Sequence, residues 1–253
     1  MSGAGNDFAV IDARGLDADL QSLAVTLCKQ LKTDGFLALD HSAVADFKLH
    51  FYNPDGLRGE MCGNGARCIC KFAFDNAVAG ETMTVETDAG LVYGQRIEEE
   101  IYRVQLNLPS VVALHQREDC AYVELGDPGI PHGVTEVPDL TWDQKAALLQ
   151  KGVDLRYAPE FPKGANINFY RILDAGHVRI LTYERGVEDF TLACGTGSAC
   201  VAVVLREKGL LPDGVLTAEN PGGTLTVTLE EKDGALSAIH LQGPATTVNI
   251  IEK

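Results

Sequence analysis

The sequence predicts an α/β protein made of two pseudo-symmetric halves, and three observations predict it. First, two nine-residue segments nearly repeat: Glu-Met-Cys-Gly-Asn-Gly-Ala-Arg-Cys at 60–68 and Leu-Ala-Cys-Gly-Thr-Gly-Ser-Ala-Cys at 192–200. Second, their flanks also match. Lys48-Leu-His-Phe-Tyr-Asn53 lies over Ile180-Leu-Thr-Tyr-Glu-Arg185, and Met83-Thr-Val-Glu-Thr-Asp-Ala-Gly90 over Leu216-Thr-Ala-Glu-Asn-Pro-Gly-Gly223. Third, each copy runs strand, turn, cysteine, helix, strand, Gly turn, strand. A repeat this long is a duplicated domain and too long for a solenoid unit.

The elements follow in order from hydrophobic periodicity. Leu20 to Leu31 has helical spacing of apolar residues, and Phe47 to Tyr52 alternates like a strand. The helix after Cys62 runs to about Asp75, where Asn76 can stop it. Strands are expected at Thr82–Thr87, Leu91–Arg96 and Ile101–Leu108, separated by turn residues. Past Pro109 come strands at 110–115 and 120–125, a Gly/Pro-rich turn from Gly126 to Pro131 and a helix from about Thr141 to Lys151. Strands at 166–173 and 177–183 lead into the second cysteine helix, 195 to about 208. Strands near 215, 225, 237 and 247 close the chain. The expected domains are 1–109, carrying Cys62, and 110–244, carrying Cys194, with a last strand at about 245–253 packing back onto the first. No low-complexity linker separates them, so a close interface is expected rather than free tumbling.

Composition narrows the function classes. The 253 residues are 45% hydrophobic and 23% charged, as in ordinary globular proteins. A formal net charge of −15 weighs against nucleic acid or an anionic membrane as partner, because phosphate recognition needs basic patches. No run of about 18 apolar residues occurs, and Met-Ser-Gly-Ala-Gly-Asn-Asp-Phe lacks the regions of a signal peptide, which predicts a cytoplasmic protein. Seven cysteines, an odd number with several in apolar helical runs, read as reduced thiols.

The chemistry concentrates at Cys62 and Cys194. Each stands immediately before Gly-x-Gly at the start of a helix, where unpaired N–H groups and the positive end of the dipole ease thiol ionisation and receive a carboxylate. A dinucleotide fingerprint is excluded by Cys68 and Cys200, which occupy the third glycine position. Structural zinc sites use Cys-x2-4-Cys, whereas Cys62 and Cys68 are about 240° apart on a helix, so no metal is expected. Cys28, Cys68, Cys70, Cys120 and Cys200 read as packing residues. Two thiols facing one carboxylate suit inversion of an α stereocentre, in which one base removes a proton from one face and an acid delivers one to the other. A thiol redox protein and a non-catalytic amino-acid-binding module are the alternatives from other classes.

Gly3-Ala-Gly-Asn-Asp-Phe8, Phe51-Tyr-Asn53, Met61-Cys-Gly-Asn-Gly-Ala-Arg-Cys68, Gly164-Ala-Asn166, Glu184-Arg-Gly186 and Ala193-Cys-Gly-Thr-Gly197 together give a chain that resembles the diaminopimelate epimerase family over essentially its whole length. The resemblance implies a mostly antiparallel curled sheet around a central helix in each half. It also implies cofactor-independent interconversion of LL- and meso-diaminopimelate on the route to lysine and peptidoglycan, and a homodimer. Cys62 and Cys194 become the acid/base pair. Gly63, Asn64, Gly195 and Thr196 would hold the reacting carboxylate, and Asn6 is a further site asparagine. Asn53, Asn166 and Arg185 would grip the distal amino-acid group, Arg185 bidentately. Glu184 and His132 match positions that tune the thiols or contact the substrate amine.

Three departures bear on the substrate. An apolar strand usual before Gly3 is not seen in a chain that starts at Met1, so either the start given is late or the first sheet lacks that edge. Gly129-Ile-Pro-His132 puts Ile130 where many members have asparagine. Thr33-Asp-Gly35 puts Gly35 where relatives often have glutamine. Specificity rests on paired polar groups at the distal end, so a related racemase acting on another amino acid is the alternative within the class.

Overall fold

The computed structural model describes residues 1–59 and 62–251. The chain forms two compact units, Met1–Gln105 with Gln242–Lys253, and Leu106–Leu241.

In unit 1 the order is β1 (Ser2–Gly3), β2 (Asn6–Asp12), α1 (Leu20–Leu31), β3 (Gly35–Asp40), β4 (Phe47–Tyr52), α2 (Gly63–Asp75), β5 (Thr82–Thr87), β6 (Gly90–Arg96) and β7 (Ile101–Leu106). Neighbours in the sheet follow chain order from β1 to β7. Two of the pairs, β2–β3 and β4–β5, are parallel, and each is the pair joined by a helix. A parallel pair needs a long crossover, which α1 and α2 supply, whereas the antiparallel pairs close with short turns. Helix α2 touches β1, β2 and β3 at one end of this sheet and β6 near the other, so the sheet curls around it. That is why α2 is buried on nearly every side from Gly63 to Ala73 and is rich in Gly, Ala and Cys. Helix α1 covers β2 and β3, sealing Ala24 and Cys28 against Ala9, Phe36 and Tyr52.

Unit 2 repeats the scheme with β8 (Pro109–Arg117), β9 (Cys120–Gly126), β10 (Gly129–Glu136), a 3-10 turn at Trp142–Gln144, α3 (Lys145–Arg156), β11 (Asn166–Asp174), β12 (His177–Glu184), β13 (Asp189–Phe190), α4 (Gly195–Glu207), β14 (Val215–Asn220), β15 (Gly223–Lys232) and β16 (Ala235–Pro244). Its parallel pairs, β10–β11 and β12–β14, are again the pairs bridged by helices. Helix α4 contacts β8 to β11 as well as β14 and β15, so this sheet also wraps a central helix. The outer helix α3 packs on β11, β12 and β13 over a core of Leu140, Leu155, Phe161, Phe169 and Tyr183.

Pairing registers locate the repeat more finely than the sequence does. Lys48 pairs with Glu86 and Arg179 with Glu219, and both pairs of side chains form ion pairs, at 2.7 and 3.0 Å. The first strands are therefore related by 131 residues, while Gly63–Asp75 and Gly195–Glu207 are related by 132. One extra residue lies between strand and cysteine in unit 2, so Asn53 corresponds to Glu184 and not to Arg185.

Four expectations need correction. The stretch 126–131 is a turn only at its tip, because β10 starts at Gly129. The 141–151 helix begins as a 3-10 turn and continues to Arg156. Instead of a strand near 247 there is one bridge, Ser2 to Thr246, with 247–251 outside any element. Strands β2 and β3, unmarked in the sequence reading, fill the region before Phe47. Ser2–Gly3 forms a short edge to β2, with Gly3 seated so closely on α2 that an added Cβ would stand 2.9 Å from the Asn64 carbonyl.

Candidate active site

Both cysteines of the repeated motif are helix N-caps. Cys62 precedes α2 with φ −133° and ψ 117°, and Cys194 precedes α4 with φ −120° and ψ 110°. In each case the extended backbone turns the sulfur back over the first turn. Gly65 N–H points to Cys62 Sγ at 3.5 Å and Gly197 N–H to Cys194 Sγ at 3.4 Å, and Thr196 Oγ1 lies 3.4 Å from Cys194 Sγ. A sulfur occupying the N-cap acceptor position takes the place a Ser or Asp oxygen holds in ordinary helices, and the first-turn amides favour negative charge on it. Cys62 is half-buried and Cys194 buried. The other five cysteines are buried, and burial pushes the Cys68, Cys70 and Cys120 thiols up to about 12, with Cys28 and Cys200 also raised for the same reason. These are inert packing thiols at neutral pH. Among the described residues no cluster of His, Cys, Asp and Glu could hold a metal ion.

In unit 1, Gly63 and Asn64 form the buried first turn of α2, and Asn64 Nδ2 donates to Asn6 Oδ1. Arg67, wholly buried, reaches back along the helix: Nη2 donates to Asn64 Oδ1 at 2.8 Å and Nη1 to the Gly63 carbonyl at 3.2 Å. One guanidinium thus fixes the Asn64 amide and, through it, Asn6. Asn53 follows β4 at the head of a tight turn, its N–H bonded to the Leu57 carbonyl at 2.8 Å. Glu60 and Met61 lie outside the described residues.

In unit 2, Gly195 and Thr196 begin α4 as their counterparts begin α2. Asn166 and His132 face each other across the parallel β10–β11 pair. Asn166 Oδ1 accepts the Arg185 N–H at 2.8 Å, and exposed Arg185 also donates through Nη1 to the Lys163 carbonyl at 3.2 Å. Glu184 is the half-buried last residue of β12. His132 is fully buried, and burial, followed by the nearby Arg185 charge, pulls its imidazole down to about 3, so it is neutral. Asn6, Asn64 and Cys62 thus gather around the start of α2. Unit 2 brings Asn166, Arg185 and His132 together around β10 and β11, and sets Thr196 beside Cys194. Ile130 sits half-buried in β10 opposite Leu125. Gly35 is crowded, since a Cβ there would lie 2.9 Å from the Phe51 ring and 3.2 Å from Phe8.

The diaminopimelate epimerase family model matches residues 1–107 and 126–248. The chain belongs to the diaminopimelate epimerase family. It is 35% identical to the diaminopimelate epimerase of Aquifex aeolicus over 91% of this chain and 89% of that one, and 34% identical to that of Chlorobaculum tepidum over 98% and 97%. Solved structures share the fold at low identity. A phenazine biosynthesis protein of the PhzF family from Bacillus anthracis superposes with a TM-score of 0.73 at 16% identity, over 96% of this chain and 92% of that one. A hydroxyproline epimerase from Agrobacterium vitis, solved with bound trans-4-hydroxy-L-proline, gives 0.68 at 17%, over 98% and 89%. The chain is thus an isomerase of the epimerase type.

Sequence reading of this epimerase-family chain passed over three buried polar residues. Arg67 lay inside the quoted motif without a role, although an arginine inside a run of small apolar helix residues is itself a signal, because a buried charge needs partners. Asn168 and Thr182 lie on β11 and β12 with Thr182 Oγ1 donating to Asn168 Oδ1 at 3.0 Å. Their only trace in sequence is a polar residue within a short apolar stretch, Ile167–Tyr170 and Ile180–Tyr183.

Proposed function

We propose that this protein interconverts LL- and meso-diaminopimelate without pyridoxal phosphate, using Cys62 and Cys194 as thiolate base and thiol acid. The observation that carries the reading is the repeated cysteine N-cap, one in each half of a chain that belongs to this family. Inversion at an α carbon needs a base on one face and an acid on the other, and a matched pair of thiols at helix starts supplies both. The first-turn N–H groups around Gly63, Asn64, Gly195 and Thr196 are suited to the substrate carboxylate, whose charge grows as the α proton leaves. Asn53, Asn166 and Arg185 would hold the distal amino-acid group, with Asn6 supporting Asn64. His132, being neutral, would act as a hydrogen-bonding group rather than a cation, beside Glu184.

On this reading the enzyme works in the cytoplasm, where its thiols stay reduced, and by the family resemblance it assembles as a homodimer, which sedimentation of the purified protein tests directly. Ile130 and Gly35 favour one second reading, a racemase of the same mechanism acting on another amino acid, because neither can supply the polar contact expected there.

The test is incorporation of solvent deuterium at the α carbon, in reducing buffer and without added cofactor. Both LL- and meso-diaminopimelate should take up label and interconvert. Exchange of a different amino acid from a screened panel, with none in diaminopimelate, would move the assignment to the second reading, and no exchange in any would sink the mechanism.

A further inference from the structure

The two halves differ in chemistry where the inner wall of each sheet meets the first turn of its central helix. Matching registers pair Phe8 with Gly35 in unit 1 and His132 with Asn166 in unit 2, then Leu37 with Phe51 and Asn168 with Thr182. The wall beside Gly65 is thus Phe8, Leu37 and Phe51, with the two rings edge to face at 6.4 Å. The equivalent wall beside Gly197 is His132, Asn168 and Thr182, all fully or almost fully buried. Burying three polar side chains where the sister half uses hydrocarbon costs free energy unless every group is satisfied, so their bonding pattern is informative.

The shortest contacts decide that pattern. Asn168 Nδ2 lies 2.9 Å from the Gly133 carbonyl, which can only accept, so the NH2 group must be on that side. Its Oδ1 takes the Thr182 hydroxyl proton on the other side. The second amide hydrogen then points to His132 Nδ1, 3.1 Å away, which makes Nδ1 the unprotonated, accepting nitrogen and leaves the ring proton on Nε2. Asn166 is the weaker competitor for the ring: its Oδ1 is committed to the Arg185 N–H, so its Nδ2 faces Nε2 as a second donor, but at 3.5 Å against 3.1 Å for Asn168, and the same Nδ2 lies 3.5 Å from the Pro131 carbonyl, which can take its hydrogen. The same Asn168 Oδ1 lies directly against Cα of Gly197, where a Cβ would overlap it, and Gly197 is the residue whose N–H points to Cys194 Sγ.

We infer that Asn168 is a positioning residue that fixes His132 as the Nε2–H tautomer and braces the first turn of the helix bearing Cys194, a device present in only one of the two halves. It acts through His132 and Gly197 and need not touch the substrate. The imidazole is thereby kept as a donor through Nε2, next to Asn166, with its ring plane set by a side chain that has no freedom to rotate.

The experiment is nitrogen-15 NMR of the histidine-labelled full chain at neutral pH, assigned with a His132→Gln variant. The expected spectrum shows His132 Nδ1 in the unprotonated, far-downfield range and Nε2 in the protonated range. Asn168→Asp replaces the donor with an acceptor, so the proton should move to Nδ1 or the ring should become an imidazolium. Asn168→Leu, the residue unit 1 uses at this position, should release the tautomer to a mixture. In the kinetic arm, which rests on the epimerase reading, Asn168→Asp should lower kcat on the order of a hundredfold with KM little changed. A wild-type His132 protonated on Nδ1 overturns the inference even if neither variant folds, and so does an unaltered tautomer in a folded Asn168→Asp protein. Inactive wild-type enzyme with the expected tautomer would instead count against the epimerase reading.

Discussion

His132 carries a stability signature of its own. Its imidazole ordinarily titrates near 6.5 and in the fold is pulled down to about 3 by burial first and the Arg185 charge second. The unfolded chain therefore binds a proton below pH 6.5 that the folded chain refuses until about pH 3. The contribution of the neutral ring is fully present above pH 6.5 and is lost progressively as pH falls to about 3, at roughly 1.4 kcal/mol per pH unit. Between pH 6.5 and 5 the denaturation free energy should drop by about 2 kcal/mol from this residue alone. Asp12 and Asp19 are held below the ordinary carboxylate value of 3.8 by hydrogen bonds to Arg14 and Ser22, so their losses belong to lower pH. His132→Gln, which keeps an acceptor for Asn168, should flatten the slope in this window. Urea melts of both proteins at pH 5, 5.8 and 6.5 check it, and parallel slopes would refute a neutral buried His132.

Two glycines at equivalent positions of α2 and α4 should respond differently to alanine. In an exposed helix interior Gly→Ala stabilises by about 1 kcal/mol. At Gly65 the new methyl would sit 3.2 Å from Leu37 Cδ2, a flexible side-chain end that can give way. At Gly197 it would overlap the oxygen of Asn168, which Thr182, Gly133 and His132 hold in place. Gly65→Ala should therefore stay within about 1 kcal/mol of wild type, and Gly197→Ala should lose about 1–3 kcal/mol. Thermal melts of the pair decide it; equal effects would show that the Asn168 wall is soft. The same elements show what sequence periodicity can and cannot read. Leu20–Leu31, Phe47–Tyr52 and Thr82–Thr87 are legible to the residue because each is half-buried and keeps a clear period. Strand β3 is buried on both faces from Gly35 to Leu39 and shows no alternation, so it was invisible. Strand β10 opens with Gly-Ile-Pro and looks like a turn. The cysteine caps were legible because a rare residue recurs before Gly-x-Gly. Asn168 and Thr182 were not, since their meaning depends on which strands pair and in what register.

At the scale of the molecule, duplication has kept what the proposed chemistry needs twice and changed what surrounds it. Backbone geometry at the two cysteine caps agrees within about the scatter of regular structure, and each sulfur receives an amide from the same position of its helix. Behind Cys62, however, stand a buried arginine and a hydrocarbon wall; the residue equivalent to Arg67 in unit 2 is Ala199, and the wall there is polar. If each thiol serves one face of the α carbon, the halves are separable in function. Cys62→Ser and Cys194→Ser should each lower LL to meso interconversion by about 100-fold or more, since a displaced proton can no longer be delivered from the opposite face. Each should nevertheless keep measurable deuterium exchange with the stereoisomer whose α proton faces the surviving cysteine, because that thiol can remove a proton and return a solvent deuteron to the same side. The retained isomer must be opposite in the two variants. Mass spectrometry of LL- and meso-diaminopimelate recovered from deuterium oxide reads this pattern directly. Loss of all exchange in one variant and retention of both isomers in the other would mean that a single cysteine performs both transfers, and the duplicated cap would then need a different explanation.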